Sequence, residues 1–176
     1  MKHVVEGFVI CAMTLGLVAF AAAQSKEVKV KMFDAQGKSV GTAEIEAAKN
    51  GSGVSIELEL KGLPPGMHGI HFHQVAKCEA PGFTSAGGHF NPMGKMHGTQ
   101  NPQGPHAGDI VNFEVKANGK ADVELTDERV SLATGENSLF ANGGTAIVIH
   151  EKADDYTTDP SGNSGARIAC GVIVPR

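Results

Sequence analysis

The chain has 176 residues, with 15 Lys and Arg against 19 Asp and Glu, and carries a formal net charge of −4 when its eight histidines are neutral. A mildly acidic chain with no basic run argues against nucleic acid as a partner. Its 23 glycines exceed the usual share of about 7%, which favours a turn-rich β chain over a helical one.

The first element is not part of the fold. Residues 1–23 hold Lys2, an apolar run from Gly7 to Phe20 and the small residues Ala21 to Ala23, the pattern of a secretory signal with an A-x-A type cleavage site. The run is shorter than the roughly 20 residues a bilayer span needs. Cleavage removes Cys11 and leaves residues 24–176 as one domain, periplasmic or secreted, with no membrane segment. Cys78 and Cys170 then remain, and an oxidising location makes a disulfide the first reading of this pair, with two free core thiols as the alternative.

Alternation dominates the mature chain. Val28, Val30 and Met32 in "EVKVKMF" and Val54, Ile56, Leu58 and Leu60 in "VSIELEL" are predicted to face a core from half-buried strands. The turn signals "DAQGKS", "KNGSG", "KGLPPG" and "KANGK" separate such strands at short intervals, so a sandwich or barrel is expected. No stretch shows helical periodicity.

Three histidines crowd into "HGIHFHQ". In a strand, residues i and i+2 share a face, so His71 and His73 stand side by side on the outward face while Ile70 and Phe72 point to the core. "TAIVIH" likewise sends Ile147 and Ile149 inward and leaves His150 on the outward face at the strand's end. His68 has the opposite parity to His71 and is read as a structural histidine bonded to backbone.

Two long segments break the rhythm, Cys78 to Ala107 and Glu151 to Ala166, both rich in Gly, Pro, Asn, Asp and His. Loops of this length in a compact domain are usually functional or disordered. The first, with the residues just after it, carries His89, His97, His106 and Asp109. Three imidazoles and one carboxylate make a tetrahedral zinc set with no evident position for water, as in structural sites.

The motifs "GIHFHQ", "GGHFNP", "PHAGDI", "VIHEKADD" and "GNSGARIACGVIV" together resemble those of the copper/zinc superoxide dismutases, in order from about Lys26 to Val174. The "HQVAKC" interval and the export signal resemble the bacterial secreted branch. The resemblance implies an all-β, eight-stranded antiparallel Greek-key barrel or sandwich with two long functional loops. It implies copper on His71, His73, His89 and His150, and zinc on His89, His97, His106 and Asp109, so that His89 bridges the two metals. Asp154 would link His71 to His97 from outside the donor sets. Arg167 would stand over the copper, where a permanently charged guanidinium attracts and orients a small anion, with Lys152 as a weaker contributor further out.

The implied activity converts superoxide to oxygen and hydrogen peroxide by copper redox cycling, with His89 handling a proton and zinc holding structure. A disulfide from Cys78 to Cys170 would tie the first long loop to the strand bearing Arg167, an effect of roughly 4–5 kcal/mol in the chain-entropy model. Superoxide is the expected partner, and a homodimer is one assembly the family pattern allows. An exported copper/zinc-binding module without turnover is the alternative function, although such a module needs neither the arginine nor a bridging histidine.

Overall fold

The computed structural model of the chain describes residues 27–49 and 52–175. The export segment expected over residues 1–23 lies outside the described residues. Among those described, no helix is long and apolar enough to cross a membrane.

Nine strands are present among the described residues: β1 (Glu27–Asp34), β2 (Ser39–Ala47), β3 (Val54–Lys61), β4 (Gly66–His68), β5 (Ile70–His73), β6 (Phe113–Val115), β7 (Lys120–Asp127), β8 (Thr145–His150) and β9 (Arg167–Ile173). Alternation sets their faces as expected: Val28, Val30 and Met32 are buried between exposed Glu27, Lys29 and Lys31, and β3 repeats the pattern. The first hairpin turns where Asp34 accepts the backbone N–H groups of Gln36 and Lys38 at 3.0 and 2.9 Å. An aspartate that bonds its own succeeding backbone is a turn former for this reason.

Seven strands form one antiparallel sheet in the order β5-β8-β9-β1-β2-β3-β7, and β4 pairs with β6 in a separate ribbon. The connections from β3 to β5 and from β7 to β8 cross between distant parts of the sheet, as Greek-key topology requires. The sheet curls, because inward residues of β1, β2, β3, β5, β8 and β9 all meet in one apolar core with Leu63, Ile110 and Leu139.

The expected count of eight strands and the observed nine differ at Gly69. β4 and β5 are one run of chain that leaves one sheet and enters the other: Met67 pairs with Glu114 of β6, whereas His71 pairs with Val148 of β8. At the step, the Gly69 N–H donates to the Lys152 carbonyl (2.8 Å) and its own carbonyl accepts from the His150 N–H (2.9 Å). A Cβ at Gly69 would sit 3.2 Å from the Ser164 Cβ, tighter than ordinary contact.

A second, smaller core lies on the outward face of β8 and β9. Phe83 and Ala86 from the first long loop pack on Ala146, Val148 and Cys170, and a disulfide joins Cys78 to Cys170 with the Cα atoms 5.7 Å apart. The outward face is therefore roofed by loop, and His71, His73 and His150 are buried.

Candidate metal centre

The first long loop reaches the outward histidines by adding itself to the free edge of β5. Phe72 donates its N–H to the Gly108 carbonyl (2.9 Å) and accepts from the Phe90 N–H (2.7 Å), while Gly108 donates to Phe90 (2.9 Å). These bonds set His89 opposite His73 and Asp109 opposite His71. Gly108 permits the approach, since a Cβ there would lie 2.4 Å from the Phe72 carbonyl oxygen.

Each imidazole of the strand-borne group is held at one nitrogen. His73 Nδ1 donates to the Gly87 carbonyl (2.9 Å), His71 Nε2 to Asp154 Oδ2 (2.7 Å), and His150 Nδ1 lies 3.0 Å from Ser164 Oγ. His89 Nδ1 lies 2.9 Å from Asp109 Oδ1. The other nitrogens, His71 Nδ1, His73 Nε2, His89 Nε2 and His150 Nε2, are buried without any hydrogen-bond partner, and these four residues form one group with ligand atoms within 4.8 Å of one another. Four unpartnered buried nitrogens are costly unless a cation takes their lone pairs. Burial also favours the neutral form that a metal needs: it lowers His71, lowers His73 well below the usual range, and takes His89 and His150 to about 3.

The second group is built around one oxygen. Asp109 Oδ1 lies 2.9 Å from His89 Nδ1, 3.0 Å from His97 Nδ1 and 3.2 Å from His106 Nδ1, and the last is 3.4 Å from His89 Nδ1. A tetrahedron whose donors lie about 2.0–2.1 Å from zinc has edges of about 3.3 Å, and these four of the set's six edges lie close to that, with every donor within 4.8 Å of the others. The other carboxylate oxygen, Oδ2, accepts the backbone N–H groups of Gly98 and His106, both at 2.9 Å. Burial works to raise the Asp109 carboxyl, but the histidine and backbone hydrogen bonds outweigh it and hold it far below the usual range.

Asp154 joins the groups from behind, with Oδ2 on His71 Nε2 (2.7 Å) and Oδ1 on His97 Nε2 (3.0 Å). Burial opposes charge on both Asp154 and His97, yet hydrogen bonds prevail: those to His71 and His97 lower Asp154, and those to Asp109 and Asp154 raise His97 to about 9. Gly162 leaves room for this contact, because it sits at φ +62° where a Cβ would fall 1.8 Å from Asp154 Oδ1.

Arg167, opposite His150 in the register of β8 and β9, donates from Nη1 to the Phe83 carbonyl and from Nη2 to the Gly87 carbonyl, both at 2.7 Å. Gly87 thus orients both Arg167 and His73, and it does so at φ +75°. The disulfide-tied loop carries both carbonyls. A cleft of about 510 Å³ opens here, lined by His89, His106, His150 and Arg167 with Gln74 and Ser161. Lys152 is exposed and is absent from this lining. His68 is turned away, its ring nitrogens 2.7 Å from the His150 carbonyl and 2.8 Å from the Pro64 carbonyl.

Several supporting residues have no distinguishing signal in the sequence. Asn112 accepts the Asp154 N–H and donates to the Asp154 carbonyl, both at 2.8 Å, and the Asn112 N–H donates to the Tyr156 hydroxyl (2.9 Å). Asp159 accepts the His97 N–H at 2.6 Å. These contacts join residues 42 to 62 positions apart, beyond the reach of periodicity.

The fold is a β-barrel with two adjoining groups of side chains able to hold a metal ion, one all nitrogen and one closed by a carboxylate. The family model for copper/zinc superoxide dismutase (SODC) matches residues 39–173. Superoxide dismutase [Cu-Zn] 2 of Aquifex aeolicus is 45% identical over 166 residues, covering 93% of this chain and 96% of the relative. Superoxide dismutase-like protein YojM of Bacillus subtilis is also 45% identical, over 82% of this chain and 74% of its own. Among solved structures, a double mutant of a SOD-like protein from Bacillus subtilis, a tyrosine and a proline each replaced by histidine, superposes with a TM-score of 0.81. It is 45% identical, over 85% of this chain and 99% of that one. The chain belongs to the copper/zinc superoxide dismutase family.

Proposed function

We propose that the protein is a superoxide dismutase that binds copper through His71, His73, His89 and His150 and zinc through His89, His97, His106 and Asp109. The observation that carries this reading is His89 itself. Its Nδ1 belongs to the tetrahedral set around Asp109 and its Nε2 is unpartnered among the other three histidines. When bound, copper supplies one-electron exchange, while redox-inert zinc supplies a fixed positive charge.

The chain's residues do the rest. Arg167, its guanidinium fixed by two carbonyls beside the cleft, draws in and orients the anion. His89 takes a proton at Nε2 in one half of the cycle and returns it in the other, while Nδ1 is retained by the zinc set. Two superoxide anions and two protons become one oxygen and one hydrogen peroxide. Asp154 fixes His71 and His97 so that neither ring turns during the cycle.

Relatives at equal identity are named both dismutase and dismutase-like. The complete nitrogen set and Arg167 favour turnover over a copper/zinc-binding module. We also read the chain as exported, after cleavage near Ala23, to a periplasmic or extracellular site compatible with the disulfide. A homodimer is one assembly compatible with this reading, and exposed Phe33 and Val172 on the outward faces of β1 and β9 are available apolar surface for it.

Metal analysis of the mature protein beside a superoxide-consumption assay tests the function. One copper and one zinc per chain are expected, with a rate that falls as salt rises. Arg167→Glu should slow turnover strongly with both metals retained, and Arg167→Lys less so. Metal-replete protein without superoxide consumption leaves the binding module instead. Sedimentation at the mass of one chain contradicts the dimer.

A further inference from the structure

Outside both donor sets, Arg129 makes an unusual pair of contacts. It lies just beyond β7, which forms one edge of the seven-stranded sheet, whereas β5 forms the other. Asp127 ends β7 with its side chain fully buried, and its Oδ1 accepts both the Arg129 backbone N–H (3.0 Å) and the guanidinium Nη2 (2.9 Å). One carboxylate oxygen thus grips Arg129 by main chain and side chain, which directs the guanidinium. The same Nη2 donates to the backbone carbonyl of Asp109.

Asp109 is bridged to His71 of β5, so this contact spans the two edges of the curled sheet. The Asp109 carboxylate is tied by Gly98 and His106 at Oδ2 and by three imidazoles at Oδ1. Arg129 adds a tie on the main chain, at the carbonyl that leads into buried Ile110. Together these ties fix Asp109 at its backbone and at its carboxylate. A metal site whose donors must hold to about 0.5 Å depends on such support.

We propose that Arg129, aimed by Asp127, is a positioning residue that presets Asp109 for zinc, so that closure of the barrel and formation of the zinc site are one event. This rests on the reading of His89, His97, His106 and Asp109 as the zinc set. Loss of the guanidinium removes the side-chain tie on the Asp109 carbonyl while leaving every donor of the other set in place. Lysine keeps the charge facing Asp127, but its single ammonium does not reproduce the planar fork.

The test uses the metal-loaded enzyme and compares wild type with Arg129→Lys and with the double variant Asp127→Asn/Arg129→Met, which removes both charges and leaves no buried ion unpaired. Zinc release to a chromogenic chelator should quicken about tenfold in the double variant, the scale for loss of an outer partner of a ligand. Arg129→Lys should fail to restore it, and copper release should stay within about twofold of wild type on that scale. Cobalt(II) placed in the zinc site should show an altered visible spectrum in both variants. Unchanged zinc release in the double variant overturns the proposal. So does equal acceleration of copper and zinc release, or full rescue by lysine, each of which marks a bolt for the barrel alone. Wild-type protein that takes up no zinc overturns the zinc set first, and this inference with it.

Discussion

The two donor sets share His89 but are held by different kinds of structure. His71, His73 and His150 stand on β5 and β8, whose inward neighbours Ile70, Phe72, Ile147 and Ile149 are buried in the main core. Their metal-facing nitrogens have no partner, and the core together with one bond each to Gly87, Asp154 and Ser164 holds the rings in place. His97, His106 and Asp109 stand instead on a segment without regular secondary structure, and they are gathered by bonds among themselves and to nearby backbone. The strand-borne set is organised before a metal arrives, whereas the loop-borne set is organised by its own carboxylate. The strands should therefore set the geometry of the first group, and Asp109, tied to both edges of the sheet, that of the second.

The largest expected effect comes from the residue common to both. His89→Ala should cut turnover by at least about 100-fold, the lower end for a lost proton-transfer group, while circular dichroism still reports a β fold. Retained turnover would break the link between the sets. Asp109→Ala should separate them: zinc content falls from one per chain to near zero, and copper remains. If both metals leave together, the independence of the strand-borne set is wrong.

A smaller effect is expected at the joint between loop and barrel. Replacing Cys78 and Cys170 by Ser removes the tie across 92 residues and should lower stability by about 2–5 kcal/mol, read as a lower denaturant midpoint. It should also raise the Michaelis constant for superoxide, because the Phe83 and Gly87 carbonyls that hold Arg167 lie on the released loop. Two freely alkylated thiols in the unreduced native protein would contradict the pairing.

Legibility in the sequence divides along the same line. A period of two picks out the core faces of β1 and β3 and the shared face of His71 and His73, because a strand repeats its geometry every second residue. It is silent on depth. The outward face carrying His71 and His73 is buried because Phe83 and Ala86 roof the neighbouring strands and residues 89–90 and 108–109 dock on β5, and no local pattern encodes a loop's landing place. The same holds for Asn112, which grips Asp154 across 42 residues, and for Arg129, which reads in "TDER" as an ordinary surface cation. Gly69 divides a strand that alternation alone leaves continuous, since a period cannot show a change of sheet.

The subtlest difference between the sets is their response to acid and base in metal-free protein. His89 and His150 have folded values near 3, below the usual 6.5, owing mainly to burial. Their contribution is therefore intact above pH 6.5 and lost as pH falls towards 3. His97 has the opposite sign. Although burial opposes it, the bonds to Asp109 and Asp154 raise it to about 9, so its contribution is full below 6.5 and lost as pH rises through 9. The thermal midpoint of metal-free protein should peak near pH 6.5 through these three groups, and zinc, which takes the place of the His97 proton and also occupies His89, should flatten the alkaline limb and steepen the acid one. An acid limb that is absent would contradict the buried neutral histidines.

The central claim is that one imidazole serves both sites. Crystals of the fully metallated, oxidised protein, measured at the copper and zinc absorption edges, test it most directly. The account predicts copper on Nε2 of His89, with His71, His73 and His150 around it, and zinc on Nδ1 of the same ring, with His97, His106 and Asp109. A structure with both metals present and His89 bound to only one of them would contradict it.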